Sequence, residues 1–248
     1  LSECKCEAYA YGHQCCDFSD GTLVCLTPGE SISMKGNNKE FPSKGWILAF
    51  HPDLICGTPL GLNIHNYTFF SYCPEEALHL SLREKQIILE FLERIRQELE
   101  RCIDRHSKKI ISKYIELLLD YCTRFYERQF ITRSEVNKKV FREFNHLLDN
   151  HFNVKVSLST DVLSDEYCAN LLHLSPAYFN DLLKYEIGKE FKEYIQFKLF
   201  EIAKGWLVNT DKTLGQIAQE LGFSNSQYFS RLFKKITGCS PNEFRMPN

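Results

Sequence analysis

Apolar residues recur at helical spacing through most of the chain, and the first seventy or so positions are where that spacing fails. Up to Tyr72, short apolar runs such as Thr22–Leu26 and Trp46–Phe50 alternate with turn formers: Asp20-Gly21, Pro28-Gly29, Gly36-Asn37, Pro42, Pro52 and Pro59. Short strands at such intervals predict a barrel or sandwich, with too few residues to close it. The start at Leu1, inside this β-like region, reads as a fragment of a longer protein. From Ser81 the period changes. Ser81-x-x-Glu84 is a capping box, in which hydroxyl and carboxylate each bind the other residue's backbone amide. It predicts a helix to about Glu100, with Ile87, Ile88, Phe91, Leu92, Ile95 and Leu99 on its apolar face. A second helix, from about Ser107 to Arg128, carries Ile111, Ile115, Leu118, Cys122 and Phe125. Thr132-x-x-Glu135 predicts the start of a third, ending near Asn150, with Phe144 and Leu148 inside.

After a polar, β-branched break over residues 149–160, the chain becomes all-helical and repeats itself. Leu214, Ile217, Ala218 and Leu221 make one stripe, which Gly222 stops because glycine enters the left-handed region without penalty. Ser224 or Asn225 caps the next helix. Phe229, Leu232, Phe233 and Ile236 are its expected buried side, while Gln227, Ser230, Arg231 and Lys234 share the other. The same pattern stands 49 to 50 residues upstream: Ala169 matches Ala218, Tyr178-Phe179 matches Tyr228-Phe229, and Gly188 matches Gly238. There the outward positions are Ala177, Asn180, Asp181 and Lys184. A helix over Glu190–Val208 joins the copies. One such unit is either a helical hairpin with a solvated face or a DNA-binding helix-turn-helix. Two copies on a rigid connector predict a pair of helices entering successive major grooves of double-stranded DNA, about 34 Å apart.

Charge neither forbids nor drives this reading. The net charge is −2, and acids balance bases from residue 153 onward, which excludes an indiscriminate polyanion binder. No apolar run approaches the roughly 20 residues of a membrane span and no secretory leader is evident, so the cytoplasm is the expected compartment. Eleven cysteines, odd in number and scattered, favour reduced thiols. Cys4, Cys6, Cys15 and Cys16, with His13 nearby, leave a redox- or metal-responsive sensor as the alternative function, although the absence of a CxxC pair leaves no metal ligand set to assign. Phe41, Trp46, Phe50, His51, Phe69 and Tyr72 either line a ligand pocket or simply pack the core. Without a phosphate-binding loop, zinc motif or nucleophile elbow, neither a catalytic residue nor a cofactor is assigned.

Ile217-Ala218, Gly222-Phe223, Tyr228-Phe229, Arg231, Phe233-Lys234, Gly238, Pro241 and Phe244-Arg245 together resemble the second helix-turn-helix of AraC/XylS-type transcriptional regulators. Asp20–Leu23 and Pro28–Glu30, ahead of two helices, are similar to the cupin-like sensing and dimerisation domain of many members. The resemblance implies an α+β chain: a partial cupin-like domain with helices over residues 1–150, a linker over 151–160, and an all-α tandem helix-turn-helix domain over 161–248. It further implies a homodimer, a small-molecule effector and contact with RNA polymerase. Lys184, Lys198, Tyr228, Lys234 and Lys235 are the expected phosphate contacts. Asn180, Gln227, Ser230 and Arg231 are expected at base edges, with Asn225 at the helix start. Asp181 stands where a basic residue is frequent in the family.

Overall fold

The computed structural model describes residues 12–30, 45–154, 164–223 and 225–246. It divides into two compact units, Leu1–Asn137 and Lys138–Asn248.

In the first unit, strand β1 (Gly21–Leu23) pairs antiparallel with β2 (Leu78–Leu80), Gly21 lying opposite Leu80. Between them come helices α1 (Pro52–Ile55) and α2 (Pro59–Asn63), then 3-10 turns over Ile64–Asn66, Thr68–Ser71 and Pro74–Glu76. The expected cupin-like barrel is not confirmed: the described residues hold one two-stranded sheet. Proline is the reason. Pro52, Pro59 and Pro74 do not punctuate strands; each opens a helical turn, where a missing N–H costs nothing. The His51 and Thr58 side chains cap those turns by accepting the amides of Asp53 and Gly61. Trp46–Phe50 forms no strand.

Helices α3 (Leu82–Glu100) and α4 (Ser107–Thr132) pack as an antiparallel hairpin, as the contacts Glu84–Arg128, Phe91–Tyr121 and Glu98–Ser107 show. The capping box at Ser81 is formed, with Ser81 N–H donating to Glu84 at 2.8 Å. The second predicted box is not. The Thr132 hydroxyl donates to the Gln129 carbonyl and Thr132 belongs to α4; helix α5 starts at Ser134 and runs to Val154. Among the described residues β2 has one partner strand, and α4 lies along its other edge. The Gln129 amide accepts from His79 N–H and donates to the Ala77 carbonyl, and Arg128 donates to the His79 carbonyl. Below this edge Arg133 makes a two-pronged ion pair with Asp17, at 2.9 and 2.6 Å, both side chains being almost wholly buried.

The second unit holds most of α5, then α6 (Asp165–Leu171), α7 (Pro176–Ile187), α8 (Phe191–Asn209), α9 (Leu214–Glu220), α10 (Ser226–Thr237) and α11 (Pro241–Arg245). Phe144 and Leu148 of α5 are fully buried against Cys168, Ala169, Phe179 and Phe191, so this helix completes the core of the first repeat. Of the linker expected at 151–160, residues 151–154 are the last turn of α5 and the rest lies outside the described residues. The second repeat buries Ile217, Ala218, Leu221, Phe229 and Phe233 against Leu199, Phe200, Ala203 and Leu207. Helix α8 thus gives its first half to one core and its second half to the other. Gly205 lies inside α8, and nothing stands within 4 Å of where its Cβ would be, so close packing does not explain it.

Candidate nucleic-acid interface

The two repeats fold alike down to single hydrogen bonds. Phe223 N–H donates to the Ala218 carbonyl at 2.8 Å, and Leu174 N–H to Ala169 at 2.9 Å. Gly222 turns with φ +81° and its counterpart His173 with φ +57°. A left-handed residue is thus required at this turn, and the first repeat meets the need with a side chain that strains there. Ser175 and Asn225 cap α7 and α10, Asn225 accepting from the amides of Gln227 and Tyr228. Ser224 lies outside the described residues. Gly188 and Gly238 end α7 and α10 in the left-handed conformation.

Beyond the backbone the repeats part. On α10, Gln227, Tyr228, Arg231, Lys234 and Lys235 are exposed, and Arg231, Lys234 and Lys235 have no ion-pair partner among the described residues. Ser230 is half-buried and donates back to the Ser226 carbonyl. Ile236, expected inside, is 41% exposed and widens the outer face. On α7 the corresponding positions are occupied within the protein. Asn180 donates to Asp165 at 2.9 Å, Lys184 pairs with Glu190 at 3.1 Å, and Asp181 is also engaged. Tyr178 is 4% exposed whereas Tyr228 is 52% exposed. Lys198 on α8 is half-buried, its ammonium 5.7 Å from the centre of the Tyr194 ring. Arg245, part of the motif, donates to the Leu207 and Lys212 carbonyls and so ties α11 to the end of α8.

The expected pocket residues belong to the first unit. Phe69 and Tyr72 are buried against Tyr126, with ring centres 5.4 and 5.2 Å away. Trp46 and Phe50 are half-buried, His51 is the exposed cap of α1, and Phe41 lies outside the described residues.

The cysteines of the sensor alternative are described only in part. Cys4 and Cys6 lie outside the described residues, and Cys15 and Cys16 are exposed free thiols. Burial, then the neighbouring Asp17, raises Cys16 above the ordinary thiol range. Burial pushes Cys25 up to about 12 and Cys168 to about 11, and raises Cys122 strongly. Reactive cysteines need the opposite shift. No group of three or more His, Cys, Asp or Glu able to hold a metal occurs among the described residues, and no described helix is long and apolar enough to cross a membrane.

Comparison with known proteins agrees with the repeat. Residues 168–246 match the family described as "Helix-turn-helix domain". The chain is 32% identical over 111 residues to an uncharacterized HTH-type transcriptional regulator, YtdP, of Bacillus subtilis, covering 45% of this chain and 14% of that protein. It is 40% identical over 86 residues to the bifunctional transcriptional activator/DNA repair enzyme AdaA of B. subtilis, covering 35% of this chain and 41% of the relative. Among solved structures, the C-terminal domain of AraT, a response regulator from Geobacillus stearothermophilus, is 30% identical, with 43% of this chain and 83% of that one covered and a TM-score of 0.37. The chain therefore spans well under half of the two B. subtilis relatives. Residues 168–246, with their doubled turn and their Gly222-Phe223, Tyr228-Phe229 and Phe244-Arg245 signatures, are thus an AraC-type helix-turn-helix domain.

Proposed function

We propose that this chain is a sequence-specific DNA-binding transcriptional regulator and that α10 is its principal reading helix. One observation carries the reading. The outward face of α10 offers Gln227 and Arg231 exposed at helical spacing, with Lys234 and Lys235 beside them and no ion pair to break among the described residues. Arg231 has the fork that fits guanine O6 and N7, and the lysines suit phosphates. Helix α8 spans 19 residues, roughly 28 Å at the helical rise, and is anchored in both cores. That length suits carrying α7 to the adjacent major groove, about 34 Å along the duplex. Helix α7 contributes less to base reading, because Asn180 and Lys184 must first leave Asp165 and Glu190.

The N-terminal unit then controls this head through an effector or by dimerising, and RNA polymerase is the further partner. Such control requires that the effector favour one arrangement of the protein over another. Selection of duplexes bound by the intact chain from a random pool tests the proposal. Enrichment of one short motif, with a weaker second motif one helical turn away, is the expected result. Recovery of unrelated sequences would refute base reading, and two equally sharp motifs would refute the subordinate role of α7.

A further inference from the structure

The first unit carries a groove of about 430 Å³ between α3, α4 and the Phe18 loop, within the range of small-molecule sites. Its floor comes from one face of α4: Tyr121, Arg124, Phe125 and Arg128 recur at i, i+3, i+4 and i+7. Ile87 and Arg83 of α3 face them, and Phe18 covers one side. Three arginines and one glutamate line it. Glu84 is fully committed: it accepts from Arg128 Nε and Nη2, both at 3.0 Å, and from Ser81 N–H. This leaves cationic capacity unused. Arg128 Nη1 is buried with no hydrogen-bond partner. Arg83 and Arg124 are exposed and have no ion pair among the described residues, whereas Arg96 on α3 and Arg133, just after α4, have partners. The aromatic surface is already used for stacking by cations: Arg128 lies 4.7 Å from the Phe18 ring centre and Arg124 5.5 Å from that of Tyr121.

The geometry points to a binding site for an organic carboxylate with a flat apolar body. The carboxylate takes the free donors of Arg124 and Arg83 and approaches Arg128 Nη1 as Phe18 shifts. The body lies on Tyr121, Phe125 and Ile87. An unfilled guanidinium donor in a low-dielectric wall favours an ionised acceptor over a neutral one. The apolar wall favours a flat ring over a small inorganic anion. The site stands on the first unit alone and is independent of the reading of α10.

The test is calorimetric titration of the intact chain with naphthoate, with its neutral amide and with inorganic phosphate. Saturable one-to-one binding of naphthoate is expected, with binding of the amide at least about tenfold weaker, as befits loss of one charge-assisted hydrogen bond. Arg124→Gln, at an exposed position, should weaken naphthoate by about tenfold while leaving the melting temperature unchanged. Arg94→Gln, on α3 away from the groove, should leave naphthoate binding unchanged. No saturable binding, equal affinity for acid and amide, or an unaffected Arg124→Gln variant would overturn the site. Equal weakening by Arg94→Gln would reduce it to bulk charge attraction. Displacement of naphthoate by equimolar phosphate would overturn the aromatic part of the assignment.

Discussion

Replacing Arg231 with alanine separates base reading from every structural role. The side chain is exposed and unpaired among the described residues, so the free protein gives nothing up when it reaches DNA and loses nothing when it is cut back. Stability should therefore change by no more than about 0.5 kcal/mol. A bidentate contact to guanine contributes roughly 1–3 kcal/mol of discrimination, equivalent to about 5- to 150-fold in Kd. The matching loss for Lys184→Ala should be smaller, because Lys184 must first leave Glu190 and an exposed pair of that kind offsets up to about 1 kcal/mol. Fluorescence anisotropy with a selected duplex and a scrambled one, at one fixed salt concentration, reads the difference. Arg231→Ala should weaken the selected duplex by that factor and leave the scrambled one nearly unchanged. Equal weakening on both would show that Arg231 holds phosphate and reads no base.

Lys234→Ala should do the reverse, weakening both duplexes alike and lowering the slope of log K against log salt by roughly 0.9; an unchanged slope would remove it from the phosphate contacts. Phe229→Ala empties a fully buried site ringed by Phe200, Phe223 and Phe233 and should cost about 3–5 kcal/mol in urea unfolding; a cost below about 1 kcal/mol would contradict the core described. His173→Gly removes left-handed strain but loosens the unfolded chain, for a net gain of roughly 0.5–1 kcal/mol; a lowered melting temperature would refute it. Burial raises the Asp17 carboxyl, but hydrogen bonds from Arg133 and Gln14 N–H and the Arg133 charge outweigh this and hold it below the usual carboxylate range. Its stabilisation is thus full above about pH 4 and lost as pH falls through the depressed value. Asp17→Asn should cost about 3–5 kcal/mol at neutral pH and flatten the acid dependence of unfolding; an unaltered acid limb would assign it to other groups.

The sequence was most legible where one local rule sufficed. Ser81 and Glu84 cap a helix because a hydroxyl and a carboxylate three residues apart have little else to do there, and the period of 49 to 50 located both turns because the apolar code is written twice. It was least legible before Tyr72. Proline breaks a strand and opens a helix with equal ease, so Pro52 and Pro59 looked like strand punctuation until His51 and Thr58 were seen capping helical turns. Thr132 fits a capping box, yet the stripe of α4 carries through it. The occupied face of α7 was hidden too. Asp165 lies fifteen residues from Asn180, and only the folded turn brings them together. The Arg128 groove had a signal, a face of Tyr121, Arg124, Phe125 and Arg128, but the sequence does not show that Glu84 satisfies only part of Arg128.

The ion pair between Arg133 and Asp17 joins residues 116 positions apart, and β1 pairs with β2 across almost sixty. Contacts in the second unit join shorter stretches, 49 positions from Tyr194 to Asn145 and 38 from Arg245 to Leu207, besides local turn bonds such as Phe223 to Ala218. Distant contacts form slowly, since the intervening chain must be confined before they repay its entropy. During synthesis the residues around Asp17 must wait until α4 and Arg133 have been made, and until then the edge of β2 that α4 covers is open and the carboxylate has no arginine partner. The helix-turn-helix unit is thus built to fold quickly once it emerges, and the interval of exposure falls on the first unit, where aggregation and the need for chaperones are concentrated.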